Sequence, residues 1–392
     1  MRLLFDLYAT QAVGRIKYNG GSEYVKRLFT ETIDRRDDSV KLFCTYHSRY
    51  PLDDFLRQTC LKEGVVLLDV SKLSIDEYVL QENIDQIFLG VIQHYGKLEF
   101  NKNVKVVIVC HDIRNLEVFP TRVALWYLSD FVGFKNKLTV ILKCLFLRVF
   151  LKLKAHILKK TYNNMLMLAR RPNTVIITDS NHTKYAMLSK FPEIDGDRIR
   201  LLWAPALKCA NTKSQCEEMI DQKYWLLLSA DRWEKNALPV IDVLIKINLT
   251  RKDKIRLVLV GSVQGTNLYK KLQKYDWITV FDYMEQEKLD WLYENCTVFL
   301  YPSFAEGFGY PPIEAMKYGK PVVASATSSI MEVCGDAPLY MCPYNIIEIE
   351  SRFRMLLDMD TEVLSSKSRQ QYKLIVKRQK SDFVSLIDII IS

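Results

Sequence analysis

The sequence predicts an α/β fold made of two doubly wound, Rossmann-like units, and three features predict it. Short continuous apolar runs alternate with longer stretches of helical periodicity, the pattern of parallel strands covered on both faces by helices. The alternation pauses once, in a polar stretch between Pro205 and Gln222, and then restarts. The length of 392 residues is too great for one ordinary core and suits two domains.

In the first half, strands are expected at 2–8, 40–45, 65–70, 104–110 and 174–178, with helices across 22–33 and 74–95. In the second half the strand-like runs are 224–229, 255–260, 278–281, 298–301 and 321–325, with helices at 238–249 and 287–294 between them. The closing segment 381–391 reads as a helix with Ser381 as its N-cap. The expected division is therefore 1–205, completed by that closing helix, and 206–380. Two successive units of this kind put a ligand crevice at the carboxyl ends of both sheets, between the domains.

Composition narrows the class. Hydrophobic residues make up 49% and charged residues 26%, which suits a soluble globular protein. The opening MRLLFDLYAT lacks the long apolar core and cleavage site of a signal peptide and reads as a first strand. Nine cysteines, odd in number and without a C-x-x-C pair, predict reduced thiols in a cytoplasmic protein and no disulfide frame. The five histidines include no H-E-x-x-H spacing, so no metal site is expected. The net charge of +9 is concentrated: from Phe131 to Thr178 there is no acidic residue, and ten Lys and Arg stand there. Within that stretch, residues 134–160 read either as a basic amphipathic helix on an anionic membrane face or as an ordinary helix packed on the sheet. No nucleic-acid partner is expected.

The most informative segment runs from Tyr301 to Tyr340. The strand 298–301 enters a loop with Gly307 and Gly309, Pro311 and Pro312 stand where a helix begins, and Gly319 stands where it ends. Glu306 is then in the loop and Glu314 in the first helical turn. A helix N-terminus there offers N–H groups and a positive dipole end to a diphosphate, and carboxylates beside it can accept the hydroxyls of a ribose and a sugar.

The string E-G-F-G-Y-P-P-I-E-A-M, with Glu306 and Glu314 eight apart, resembles the signature of the group 1 (family 4) retaining glycosyltransferases, of the bacterial surface-polysaccharide type. Pro302-Ser303, the Gly319-Lys320-Pro321-Val322-Val323 step and Gly335-Asp336-Ala337 agree with it. The resemblance implies the GT-B fold, two Rossmann-like domains facing each other across a cleft. It implies that Glu306 faces the transferred sugar, that Glu314 holds the ribose, and that the backbone of Phe308, Gly309 and Tyr310 contacts sugar and phosphate. In 226–236, LLLSADRWEKN, it assigns Arg232 and Lys235 to the diphosphate, although Ala230-Asp231 stands where the family has a glycine. Gly20 and Gly21, with Ser22 as an N-cap, match the family's glycine loop at the donor phosphate. His111-Asp112 match its H-D pair at the cleft, and Tyr283 sits where the family contacts the base. Taken alone, a G-G pair is usually a turn, and a histidine after a strand is usually a packed or surface residue.

The implied activity is retaining transfer of a hexose from a nucleotide diphosphate sugar, a substrate rather than a cofactor, to a glycan or lipid-linked acceptor. It would be peripheral at the inner face of a membrane if 134–160 binds there. The D-x-D-like runs 195–197 and 358–360 follow no buried strand and read as turns or helix ends. A dehydrogenase is excluded for want of G-x-G-x-x-G after the first strand. A non-catalytic nucleotide-sugar-binding protein, a phosphorylase or an epimerase on this fold stay open.

Overall fold

A computed structural model describes residues 1–12, 20–91, 98–101, 103–117, 162–163, 166–207, 214–230, 232–261, 267–282 and 284–392. Two compact units emerge. The described residues of 1–113, 162–207 and 376–392 form the first, and those of 114–117 and 214–375 form the second.

The first unit contains β1 (Arg2–Phe5), α1 (Gly20–Arg35), β2 (Lys41–Tyr46), α2 (Asp54–Lys62), β3 (Val66–Asp69), α3 (Ile75–Gln81), β4 (Gln86–Leu89), β5 (Lys105–Cys110), β6 (Thr174–Thr178), α4 (Asn181–Lys190) and β7 (Ile199–Leu201). Its strands are parallel, in the order β3-β2-β1-β4-β5-β6-β7. The strand order reverses between β1 and β4, which in a doubly wound sheet opens the ligand crevice at the carboxyl ends. Central strands are buried on both faces, so β1, β4 and β5 read as nearly unbroken apolar runs.

The second unit repeats the plan. It contains β8 (Tyr224–Leu228), α5 (Ala237–Leu249), β9 (Arg256–Val260), β10 (Ile278–Phe281), α6 (Gln286–Asn295), β11 (Val298–Tyr301), α7 (Tyr310–Lys317), β12 (Val322–Ser325), α8 (Ser328–Cys334), β13 (Leu339–Met341), α9 (Ile346–Asp358) and the long α10 (Glu362–Ile391). The parallel order is β10-β9-β8-β11-β12-β13, reversing between β8 and β11. Helix α5 is apolar nearly all round and is buried with Trp225, Leu227, Leu257, Leu300 and Phe353 in one core. Asn248 closes its connection to β9: its side chain donates to the Ile255 carbonyl (3.0 Å) and accepts from the Ile255 N–H (2.9 Å).

Four details differ from the sequence reading. The stretch 74–95 is not one helix: α3 stops at Gln81, Asn83 turns the chain at φ 47°, and β4 follows, wholly buried beside β1. The edge strands β7 and β13, three residues each, are too short to announce themselves. Ser381 caps nothing, because α10 runs unbroken through it; no Gly or Pro occurs between Glu362 and Ile391 to stop a helix. Ser22 is likewise inside α1, which begins at Gly20, and its hydroxyl donates to the Ala9 carbonyl (3.0 Å).

Helix α10 is shared: residues to Ile375 belong to the second unit and Val376–Ser392 to the first. In the second unit Ser368 donates to the Lys320 carbonyl (2.8 Å) and Gln371 to the Val333 carbonyl (2.8 Å). In the first, Gln379 donates to the Ala204 carbonyl (2.7 Å), and Asp382 accepts the Trp203 N–H (2.9 Å). Buried Gln86, on β4, donates to the Ile390 carbonyl (2.7 Å), one of the last-turn acceptors that a helix cannot satisfy internally.

Candidate active site

The loops that leave β8 and β11, the two strands flanking the reversal in the second sheet, hold Arg232, Lys235 and Glu306. After β8 the chain turns at Ser229 (φ 54°), passes Arg232 and Lys235, and enters α5 through Asn236 (φ 54°). After β11 it runs through Ser303 and Glu306 to Gly309 (φ 98°), the N-cap of α7. Ser328, at φ 49°, opens α8 against the same loop and accepts the Glu306 N–H (2.9 Å). A left-handed backbone at a serine costs on the order of 1–2 kcal/mol. Such strain gathered around one loop pair marks a region whose geometry is over-determined by its surroundings.

Lys235 and Glu306 meet in this loop pair. Lys235 Nζ is 2.6 Å from Glu306 Oε1, and each side chain is only 9% exposed. The ammonium also lies 3.3 Å from the Tyr301 hydroxyl and 5.0 Å from that ring's centre. Ser303 donates to the same Glu306 oxygen. Arg114, in a helical turn (Arg114–Glu117) grouped with this unit, approaches Oε2 at 4.0 Å. Burial alone would raise the Glu306 carboxyl, but Lys235, Arg114 and the Ser303 hydrogen bond outweigh it and hold the group at about 2. Glu306 is therefore a carboxylate at any physiological pH. The Glu306 main chain is fixed too: its carbonyl accepts the Ser329 hydroxyl (2.8 Å), which also reaches the Phe308 carbonyl (3.3 Å).

Glu314 sits in the second turn of α7, not the first, because the helix begins at Tyr310. Its side chain, 14% exposed, is 3.6 Å from Lys317, which in turn lies 3.8 Å from Asp290. Burial, with Asp290 adding to it, pushes the Glu314 carboxyl up to about 7 against the pull of Lys317. Pro311 and Pro312 also remove two donors from the helix N-terminus, so the first turn offers fewer N–H groups than a proline-free helix would. The ring of Tyr310 packs edge-on against buried Phe308 at 5.4 Å.

Arg232 is held by a residue the motif did not mark: its Nη2 lies 2.9 Å from Glu234 Oε1. Asp231, the residue standing against the family pattern, lies outside the described residues, as do Tyr283 and the basic stretch 134–160.

In the first unit, His111 follows β5 with both ring nitrogens engaged. Nδ1 is 2.6 Å from Asp179 Oδ2 and Nε2 is 3.0 Å from the Gly90 carbonyl. Both partners are acceptors, so the protonated ring can donate to each of them. Burial opposes that charge, but Asp179, through charge and hydrogen bond, raises the His111 pKa overall. The ring packs edge-on against Tyr24 of α1, centroids 4.7 Å apart. Gly90 is required here, since a Cβ would come within 2.2 Å of Val25. His111 is thus the pin joining the ends of β4, β5 and β6, and its ring is not a free acid–base group. Asp112 is half-buried next to it, and its carbonyl faces the Cys110 thiol at 3.8 Å. Gly20 and Gly21 form the first turn of α1 rather than a loop before it. The D-x-D-like runs are as expected: Asp195 caps a short turn through the Asp197 N–H (3.0 Å), and Asp358 ends α9.

Sequence reasoning assigned no role to Asp179, Glu234, Ser303 or Tyr301. For Asp179 and Tyr301 a signal was present, since both stand at the carboxyl ends of parallel strands, where ligand chemistry in such sheets gathers.

Comparison with known proteins points in the same direction as the motif. Residues 212–374 match the model for glycosyl transferases, group 1. Over that segment, most of the second unit, the chain is similar to that family. Over 99 residues it is 39% identical to the O-antigen chain mannosyltransferase B of Escherichia coli, covering 25% of this chain and 26% of that one. Over 191 residues it is 25% identical to the O-antigen chain mannosyltransferase RfbU of Salmonella typhimurium, covering 47% and 52%. These matches thus span about a quarter and about half of the relatives' own lengths. Among solved structures, Anabaena HepE in complex with UDP and glucose superposes with a TM-score of 0.64 at 14% identity, covering 100% of this chain and 99% of that one. WaaG, a glycosyltransferase involved in lipopolysaccharide biosynthesis, gives 0.64 at 15% identity, covering 99% of both. The fold class is accordingly the expected one, two Rossmann-like units of GT-B type.

Proposed function

We propose that this chain is a group 1 retaining glycosyltransferase that moves a hexose from a nucleotide diphosphate sugar to a glycan or lipid-linked acceptor in the synthesis of a surface polysaccharide. The mannosyltransferase relatives favour mannose as the sugar. The observation that carries the reading is the buried Lys235–Glu306 pair at the strand-order reversal of the second sheet. A protein that merely folds gains little from burying such a pair, because desolvation offsets the attraction.

In this reading Lys235 holds Glu306 with one N–H and Tyr301 with another, and its third N–H goes to a phosphate oxygen. Arg232 adds a second cation. As the bond between the anomeric carbon and the diphosphate lengthens, negative charge grows on the leaving oxygen, and these two cations stabilise it. The acceptor oxygen bonds to the anomeric carbon on the face the diphosphate leaves, and its proton passes to the leaving phosphate. Glu306, ionised throughout, accepts sugar hydroxyls and offsets developing positive charge on the ring. Glu314 takes the ribose hydroxyls. No metal or cofactor enters this scheme.

The test is nucleoside diphosphate release with and without acceptor, with the product's anomeric configuration read by NMR. Release that depends on acceptor, with retention, is expected. Phosphate-dependent cleavage or donor epimerisation would assign a phosphorylase or an epimerase instead.

The basic stretch 134–160 supports a second element of the proposal, reversible association with an anionic leaflet where a lipid-linked acceptor would lie. Among the described residues no helix is long and apolar enough to cross a membrane. Salt-sensitive sedimentation with anionic vesicles is expected, and binding indifferent to salt would refute it.

A further inference from the structure

The most organised group outside the transfer machinery lies in the first unit, on the turn that follows β2. Tyr8, just beyond β1, clusters there with His47 and Tyr50. Ring centroids are 5.0 Å apart for His47–Tyr50, 5.6 Å for Tyr8–His47 and 6.4 Å for Tyr8–Tyr50, the last pair stacked at 25°. All three side chains are partly exposed.

The turn that carries them is fastened from below. Gln11, 3% exposed, donates to the carbonyls of His47 (3.1 Å) and Tyr50 (2.7 Å) and accepts the His47 N–H (2.7 Å). Asp69, 4% exposed at the end of β3, accepts the N–H groups of Ser48 (3.1 Å) and Ser71 (3.0 Å) and the Ser71 hydroxyl (2.7 Å). The Arg49 N–H points at His47 Nδ1 (3.2 Å). That nitrogen therefore accepts, and the neutral ring carries its proton on Nε2. Two buried polar side chains are spent on a surface turn whose aromatic side chains stay partly exposed. Packing the first unit's core does not require this arrangement, whereas a pre-organised contact surface does.

We propose that Tyr8, His47 and Tyr50 form a carbohydrate platform that receives a hexopyranose ring of the acceptor glycan. The assignment rests on the transferase reading and adds to it the acceptor's recognition chemistry. A pyranose presents an apolar face of C–H groups and a rim of hydroxyls. Tyrosine offers that face a rigid amphipathic surface at low entropic cost. The Tyr50 hydroxyl and His47 Nε2–H are donors suited to the rim. The platform lies at the carboxyl ends of β1 and β2, the end of a doubly wound sheet at which ligands bind.

Saturation-transfer NMR of the full chain with short oligosaccharides of mannose, glucose and galactose tests this. Wild type is expected to bind at least one of them. Tyr50→Ala and His47→Ala should weaken that binding about tenfold, while Tyr50→Phe, which keeps the ring, should retain most of it. UDP and GDP binding, measured on the same proteins, should be unchanged and reports that the variants are folded. Equal oligosaccharide binding by wild type and both alanine variants overturns the platform. So does a wild type that binds nucleoside diphosphate but none of the sugars. A wild type that binds no nucleoside diphosphate would overturn the transferase reading on which the platform stands.

Discussion

Lys235 Nζ and Glu306 Oε1 lie 2.6 Å apart with nine-tenths of each side chain buried, so neither charge can be removed without stranding the other. Lys235→Ala leaves a buried carboxylate with Arg114, at 4.0 Å, as its remaining cation among the described residues. We expect a stability loss of about 3–5 kcal/mol, measured by chemical denaturation. The double change Lys235→Met with Glu306→Gln should recover much of that loss while leaving transfer abolished. A double variant no more stable than Lys235→Ala would show that the pair is not coupled.

Glu306→Gln alone keeps the shape of the side chain and removes its charge. Turnover should fall on the order of 100- to 1000-fold, with nucleotide affinity within a few-fold of wild type. Near-normal transfer by the folded variant would remove Glu306 from the chemistry.

Arg232 offers a cleaner test of diphosphate binding than Lys235, because its partner Glu234 is less buried, with a side chain 21% exposed. Arg232→Ala should weaken nucleoside diphosphate binding by about 1.5–3 kcal/mol and leave nucleoside binding nearly untouched. Calorimetric titration of both ligands separates the two, and equal losses would point to a disturbed loop.

The legible parts of this chain are those where local pattern and tertiary role agree. β11 was readable to the residue because a continuous apolar run bounded by polar residues leaves a buried parallel strand few alternatives. The spacing of Glu306 and Glu314 was legible because one loop and one helix fix it. What failed was local in a different way. β4 hid inside an expected helix because its three apolar residues, Ile87 to Leu89, satisfy either period, and only pairing with β1 decides between them. Ser22 looked like an N-cap, yet the helix begins two residues earlier and the hydroxyl serves the Ala9 carbonyl instead. The partner of His111 stands 68 residues away and that of Lys235 stands 71 away. No spacing rule reaches across such separations; only the closing of the sheets brings those residues together.

His111 predicts a pH dependence in the first unit. Its pKa is raised in the fold, chiefly by Asp179 working against burial. The folded protein thus holds the proton more tightly than the unfolded chain. The stabilisation is full below the unfolded value of about 6.5 and is lost as pH rises through the folded value. Asp179→Asn should remove most of this slope and lower the His111 pKa, observable by NMR titration of the imidazole. An unchanged imidazole titration would show that the contact carries no electrostatic weight.

Glu314 predicts a slope of the same sign from the second unit, and the two can be told apart by mutation. Its carboxyl is pushed up to about 7 by burial, from an ordinary 4.5. The native state therefore binds a proton that the unfolded chain has already released between those values, and stability falls as pH rises from about 4.5 to 7. The shift corresponds to about 3 kcal/mol at most, less whatever Lys317 returns by moving closer to the carboxylate. Glu314→Gln, neutral at every pH, should flatten this part of the stability profile while leaving the His111 slope in place. The same substitution tests the ribose assignment, because a glutamine can still hydrogen-bond a hydroxyl but cannot accept two at once through both terminal atoms. Nucleotide affinity should therefore fall by several-fold at pH 8, where the wild-type side chain is ionised, and by less at pH 6, where it is mostly protonated. An affinity loss of the same size at both pH values would mean that the charge of Glu314 plays no part in holding the ligand.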